Sequence, residues 1–191
     1  LTPLTAADLP YLYDLSHPLP TATSSSIYTY LPYGPFASLA EYTAFATETY
    51  LEPPTRDGSL AAFVIRLAGG SSENGAEPEP IGLIAYLNVV PLHRRVEIGH
   101  IWTAPIDRLR GKGYGAEAAF LLMQNAFDVK AEDGGRAPWY RVEWKTHHEN
   151  VASQKTASRL GFTKEGVFRY HMWYGEEPRH TLYYAIARDE W

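Results

Sequence analysis

The sequence contains no cysteine. Disulfides, cysteine-ligated metal sites and a cysteine nucleophile are therefore excluded, and a reducing compartment, the cytoplasm, is the expected location. No apolar run approaches the roughly 18 residues that a membrane helix needs, so no membrane role is expected. Cationic charge is in deficit: 17 Lys and Arg face 22 Asp and Glu, for a formal net charge of -5. That balance argues against a nucleic-acid partner. No signal-peptide pattern opens the chain, and its first residue is Leu1 rather than Met, which fits a trimmed start. No internal repeat is visible.

What is present is ordinary for a globular protein, with 45% hydrophobic and 20% charged residues over 191 positions. That length favours one domain, residues 1–191, with a sizeable core. Aromatics are abundant at 14%, including 14 Tyr and 5 Trp. Most of them read as core and strand residues, and some are free to line a substrate cleft.

Thr5 can cap a first helix running through Tyr13, with Pro10 in its early turns. Residues 31–36 (Leu-Pro-Tyr-Gly-Pro-Phe) read as a rigid aromatic loop. Ser38 can cap a second helix, and Pro53-Pro54 is expected to end it. Strands are expected at 60–67, 81–90 and 96–103, with a mobile hairpin loop over 69–80. A long helix follows to about Lys130, with Ala116, Ala119, Phe120, Met123 and Phe127 on one apolar face. Then come a strand at 140–146, a helix from Asn150 to Leu160 stopped by Gly161, and a terminal hairpin formed by 166–173 and 181–187. The pattern implies an α+β domain with a mixed sheet.

The run Arg110-Gly111-Lys112-Gly113-Tyr114-Gly115 follows a strand and opens a helix. Alternate glycines allow close backbone approach, and a helix N-terminus presents unpaired N–H groups and partial positive charge. Together they suit a phosphate, with Arg108, Arg110 and Lys112 adding formal charge. A flexible turn is the plainer alternative. No Gly-Lys-Ser/Thr closes the run, so it is not a P-loop, and the preceding antiparallel meander does not fit a dinucleotide fold.

At this point the chain resembles the GNAT acyltransferase superfamily. Arg110-x-x-Gly113-x-Gly115 fits its pyrophosphate motif. Asn150-Val151-Ala152-Ser153, followed by Ala157, Leu160-Gly161-Phe162 and Glu165-Gly166, is similar to the signature of its ribosomal-protein-alanine N-acetyltransferase branch. The loop over 31–36 and the ending Asp189-Glu190-Trp191 resemble a bacterial and fungal subgroup. The resemblance implies a central mixed six- to seven-stranded sheet flanked by about four helices, three layers deep. It implies acetyl-CoA between two splayed parallel strands (96–103 and 140–146) and direct transfer to an amine, with no metal. As cofactor contacts it implies Ile101, Trp102, Thr103, Arg108, the run from Arg110 to Gly115, Asn150, Ser153 and Lys155.

Amine acylation requires a neutral amine, a polarised thioester and a protonated leaving thiolate. The resemblance places Ser153 near the CoA sulfur. On its helix it shares a face with Ala157 and Leu160, and a back-bond to the helix is the alternative role. Asn150 is equally readable as the N-cap of that helix. Glu97 is the first candidate base, on a strand face shared with Gly99, Ile101 and Thr103. His100 is a rival with a pKa near neutral. His171 is a third, where a related branch carries a carboxylate nearby and this chain has Met172 at the aligned position. Glu143 can also face the cleft. His147 and His148 suggest a metal pair, but no third ligand stands at a suitable spacing. No Gly-x-Ser-x-Gly elbow supports a hydrolase.

The resemblance builds the acceptor site from the first helices and the terminal hairpin. That points to Tyr30, Tyr33 and Phe36, with Tyr28 beside them, and to Tyr170 and Trp173, with Tyr174 beside them. The expected partner is a small-molecule amine or a peptide N-terminus, and the expected assembly a monomer or homodimer. The alternative function is an acyl-CoA-binding module of the same fold without efficient catalysis.

Overall fold

The computed structural model describes residues 1–17, 27–67, 78–109, 111–128, 138–174 and 177–191, the side chains of Thr55 and Tyr174 excepted. Its strands are β1 (Thr2–Pro3), β2 (Ala61–Arg66), β3 (Pro80–Val90), β4 (Arg95–Thr103), β5 (Arg141–His147), β6 (Thr163–Tyr174) and β7 (Glu177–Ala187). Its helices are α1 (Leu9–Ser16), α2 (Leu39–Ala46), α3 (Pro53–Arg56), α4 (Tyr114–Phe127) and α5 (Val151–Arg159). The strands form one seven-stranded sheet in the order β1-β2-β3-β4-β5-β7-β6. β4 and β5 pair in parallel, whereas β1/β2, β5/β7 and β6/β7 are antiparallel. The mixed sheet expected from the residue pattern is thus present.

The described residues group into two compact units. The first comprises Leu1–Ala85 and His100–Ala118, the second Tyr86–Gly99 and Ala119–Trp191. In the first unit Leu9, Leu12, Val64, Ile81 and Leu83 are fully buried. In the second, Val96, Ile98, Met123, Phe127 and Val142 fill the same role.

Local chemistry explains most boundaries. Thr5 opens a 3-10 turn, where its N–H donates to Asp8 Oδ2 at 2.9 Å, and α1 continues from it with Pro10 in the first turn. Ser38 Oγ accepts from Glu41 N at 3.2 Å and caps α2. Pro53-Pro54 does not stop the chain's coiling. A π-helical turn over Thr47–Leu51 leads into α3, whose first residue is Pro53, a position where the missing N–H costs nothing.

The buried stripe of α4 is Ala119, Leu122, Met123, Ala126 and Phe127. Phe120, expected within it, is instead exposed and lies 5.5 Å from the ring of Trp191. Trp191 also stacks on Phe127 and donates its indole N–H to Asp128 Oδ1 at 2.7 Å. The expected loop over 69–80 falls largely outside the described residues, and Pro80 already belongs to β3.

Candidate active site

β4 hands over to α4 through a turn anchored by a buried residue. Ala104 N donates to Ile81 O at 2.7 Å, and Leu109, 3% exposed, pins the middle of the loop. Gly111 and Gly113 then take φ values of 70° and 84°, the left-handed region that side chains avoid. A Cβ on either would meet nothing within 4 Å. Gly113 O accepts from Glu117 N at 2.9 Å, so Gly113 precedes the first helical residue, Tyr114. The N–H groups of the first turn point out of the helix start without intrahelical acceptors.

Lys112 is exposed beside this turn. Arg108 is paired with Glu79, so its charge is already engaged. Arg110 lies outside the described residues. Gly115 lies against Ile101, whose Cγ2 would be 3.5 Å from an added Cβ.

His100 has φ 51° within β4. This left-handed residue interrupts the period-two alternation. The face expected for Glu97 and Gly99 therefore cannot be extended by simple counting to Ile101 and Thr103. Trp102 is buried, while Ile101 and Thr103 are half-buried. His100 meets the edges of Tyr33 and Tyr50, with centroids 5.1 Å and 5.5 Å away.

Those rings belong to an aromatic cluster. Tyr33 and Phe36 both contact Phe45, at 4.6 Å and 4.9 Å, and Tyr50 donates its hydroxyl hydrogen bond to Tyr33 at 2.8 Å. Burial pushes the Tyr50 phenol well above its ordinary pKa and raises Tyr28 to about 12. Both stay neutral in the physiological range. Phe36 is only 8% exposed and packs within this cluster. Tyr30 and Tyr33 are half-buried.

In the second unit, Asn150 caps α5: its Oδ1 accepts from Ser153 N at 3.0 Å. The hydroxyl of Ser153 accepts from the indole Nε1 of Trp144 at 3.0 Å. The partner for this hydroxyl is thus a tryptophan on β5, and its own proton remains available to donate. Lys155 is exposed on the same helix.

Glu97 lies elsewhere. It is 6% exposed, and its Oε2 accepts from Lys145 Nζ at 2.6 Å and from Asn88 Nδ2 at 2.7 Å. Trp144 and Lys145 are consecutive on β5, so their side chains leave opposite faces of the strand. Ser153 and Glu97 are therefore not brought together. His171 is near the Glu97 group: its Nε2 lies 3.2 Å from the Tyr183 hydroxyl, and the Tyr183 ring covers Lys145 Nζ at 5.1 Å. The other nitrogen of His171 is 3.1 Å from Thr181 Oγ1. Tyr170 and Trp173 are strongly exposed on β6, where a bulge between Phe168 and Met172 accompanies φ 51° at Tyr170.

Residue-by-residue reading missed Lys145, Asn88, Trp144 and Tyr183. Alternation along β5 was the available signal, because it places Glu143 and Lys145 on one face. His147 and His148 stack at 4.5 Å, but among the described residues no group of three or more His, Asp or Glu is placed to hold a metal.

Glu143 is 8% exposed and surrounded by cations: Arg141 Nε at 2.9 Å, Arg95 Nη1 at 3.4 Å and Lys145 Nζ at 3.4 Å. Burial is the largest single influence and raises its pKa, but the Arg141 hydrogen bond and the three charges together hold it below the ordinary value. A depressed carboxylate contributes stability above its unfolded pKa and loses it as pH falls through the folded one. Wild type should therefore weaken steeply below about pH 4. Glu143→Gln should cost about 2 kcal/mol near neutrality and show a flatter acid decline. Urea midpoints between about pH 3 and 7 would check this, and parallel curves would refute it.

Comparison with known proteins bears on the family and the fold. Residues 1–163 match the family model described as the acetyltransferase (GNAT) domain. A probable GNAT-family acetyltransferase from Chromobacterium violaceum superposes with a TM-score of 0.76 at 28% identity, over 99% of this chain and 82% of that one. Spermidine N-acetyltransferase from Vibrio cholerae, in complex with CoA and spermine, gives 0.71 at 18% identity, over 98% and 94%. RimL, a ribosomal L7/L12 α-N-protein acetyltransferase in complex with coenzyme A, gives 0.73 at 18% identity, over 100% and 94%. The last two likenesses show the fold alone. The chain spans about half the length of the curated relatives it matches, 50% of one and 56% of the other. Among the described residues no helix is long and apolar enough to cross a membrane.

Proposed function

The chain belongs to the GNAT acetyltransferase family, and from that premise we propose that it transfers an acetyl group from acetyl-CoA to a primary amine by direct attack, residues 1–191 acting as one domain. The observation that carries the reading is the left-handed glycine pair, Gly111 and Gly113, opening onto the 14-residue helix α4. Such a turn brings main-chain N–H groups to an anion without side-chain obstruction, as the pyrophosphate of CoA requires. Lys112, Tyr114 and Gly115 of that turn are further proposed contacts, and Arg110, outside the described residues, is proposed from the Arg110-x-x-Gly113-x-Gly115 pattern alone. The strand segment Ile101–Thr103 supplies main-chain groups, and Asn150 and Lys155 are further cofactor contacts.

Ser153 is the proposed donor to the leaving thiolate. Its oxygen already accepts from Trp144, which leaves its proton free to donate elsewhere. For the acceptor, a small amine and a peptide N-terminus both fit the family. Spermidine and a ribosomal protein are named as acceptors of two neighbours of the same fold. The Asn150–Gly166 signature favours the peptide-modifying branch. Tyr30, Tyr33, Tyr170 and Trp173 are the proposed acceptor contacts.

A second reading, an acyl-CoA-binding module without efficient turnover, is favoured by one observation. The carboxylate of Glu97, the first candidate base, is already engaged by Lys145 and Asn88. Thiol release measured with DTNB across a panel of amines and peptides separates the two. Turnover on at least one acceptor, with kcat lowered about 100-fold in Ser153→Ala, is the expected result. Tight CoA binding with no turnover on any acceptor would establish the binding module instead.

A further inference from the structure

We infer that Lys145 is a positioning residue that holds Glu97 as an ionised carboxylate at the point where β4 and β5 stop pairing, with Oε1 left over to accept a hydrogen bond. The inference deepens the acyltransferase reading and rests on it for its kinetic arm.

The backbone ladder between the two strands is short. Parallel pairing joins Arg95 to Arg141, Val96 to Val142 and Glu97 to Glu143, and no further pair extends it. β5 continues to pair with β7, Lys145 opposite Tyr183. Lys145 is therefore anchored on the β7 side, two residues past the last β4 partner, and its stem reaches back to Glu97. Where main-chain hydrogen bonds end, an ion pair at 2.6 Å takes over.

Three groups surround the ammonium. Glu97 Oε2 lies at 2.6 Å, Glu143 Oε2 at 3.4 Å, and the face of Tyr183 at 5.1 Å. Around the carboxylates stand Asn88 from β3, Arg95 from β4 and Arg141 from β5, and Tyr183 is joined in turn to His171 on β6. A buried carboxylate without a counter-ion drifts toward its neutral acid. Lys145 is the cation that touches Glu97, since Arg95 and Arg141 are spent on Glu143 and Glu165.

The two oxygens of Glu97 are used unequally. Both donors, Lys145 and Asn88, converge on Oε2. Among the described residues Oε1 receives no hydrogen bond. It faces Gly99, where an added Cβ would lie 3.7 Å from it. The Leu87 side chain lies nearer that point, its Cδ1 2.8 Å from the added Cβ, so an apolar group rather than a hydrogen-bond donor shares this space with Oε1. An oxygen fixed in this way can orient an ammonium or a water without moving, the preorganisation that proton removal from an amine requires. Replacing both partners of a buried ion pair can be neutral for stability, whereas removing Lys145 alone leaves a buried carboxylate uncompensated, so a stability loss by itself would not distinguish a positioning role. The charge itself therefore has to be tested.

The test uses the full chain labelled with carbon-13 at glutamate side-chain carboxyls, free of substrate. Glu97→Gln assigns the Glu97 signal by its disappearance. The expected result is a Glu97 titration moved upward by about one pH unit or more in Lys145→Met, and a wild-type position retained in Lys145→Arg. Lys145→Gln reads the same shift if the Met variant does not fold. A Glu97 signal that titrates alike in wild type and in both neutral variants overturns the inference.

The kinetic arm tracks kcat/KM against pH. In Lys145→Met the acid limb should move up by the same interval, with KM for acetyl-CoA changed by less than about threefold. A shifted carboxyl signal in a chain that acetylates no amine would sustain the positioning role and defeat the acyltransferase reading, so the two failures are distinct.

Discussion

Gly113→Asp should lower coenzyme A affinity by about 100-fold or more while leaving a folded chain. Two costs could act at this site, and they separate cleanly. The first is backbone strain: φ is 84°, where most residues pay about 1–2 kcal/mol and an aspartate less, because its short side chain tolerates the left-handed region. The second is repulsion. A carboxylate placed at the start of α4 meets the pyrophosphate that the first-turn N–H groups are proposed to hold, and like charges brought together at a binding surface cost several kcal/mol. Each 1.4 kcal/mol is about tenfold in affinity, so repulsion of about 3 kcal/mol gives the stated loss.

Gly58→Asp is the matched control for that experiment. Gly58 has φ 67°, and a Cβ there also meets nothing within 4 Å. It carries the same strain with no proposed phosphate beside it. Calorimetry should find affinity lost in the first variant and kept in the second, with similar melting temperatures. Equal affinities in all three proteins would remove the pyrophosphate from this turn. Equal losses in both variants would trace the effect to the fold.

The features readable in advance share one property: a side chain or a glycine settles them within a few residues. Ser38 and Asn150 cap their helices through local hydrogen bonds to Glu41 N and Ser153 N. Gly161 ends α5 in the left-handed conformation, at φ 91°. Gly111 and Gly113 take positive φ because glycine does so at little cost.

Features that depend on distant chain were not readable. β1 is two residues long and exists only because Thr2 and Pro3 find Val64 and Phe63. The left-handed His100 and Tyr170 were not readable, because positive φ is uncommon for either residue and histidine's enrichment there marks no particular position, and each resets the face of the strand residues beyond it. Phe36 resembles any loop aromatic until its contacts with Tyr42 and Phe45 bury it. In the candidate site, Glu97 was identifiable as a carboxylate on a strand, but its engagement by Lys145 depends on how β4 and β5 diverge, and no local pattern encodes that. The likeness in Asn150–Gly166 located Ser153, yet it could not supply the indole of Trp144 that orients the hydroxyl.

Gly82→Ala should destabilise the chain by about 3 kcal/mol or more, at the upper end for overpacking. Gly82 is buried in β3, and a Cβ there would sit 2.1 Å from the carbonyl oxygen of Trp102 and 2.9 Å from Thr103 Cα. Both obstacles are main chain, so no rotamer can yield, and the strand end itself must move. Adjacent to it, Ala104 N is tied to Ile81 O at 2.7 Å, and this bond would be strained by the same displacement. Gly166→Ala in β6 gives the comparison: its Cβ meets nothing within 4 Å, and a change within about 0.5 kcal/mol is expected. Urea midpoints for the two variants would decide it, and a Gly82→Ala midpoint equal to wild type would mean that β3 and the end of β4 do not approach this closely. The consequence reaches function as well. The displaced segment, Trp102–Ala104, carries main-chain groups proposed to meet the cofactor and leads directly into the glycine turn. Any Gly82→Ala protein that still folds should therefore bind coenzyme A more weakly than its residual stability accounts for, because the cost of accommodating one methyl group falls on the strand end that aims the site.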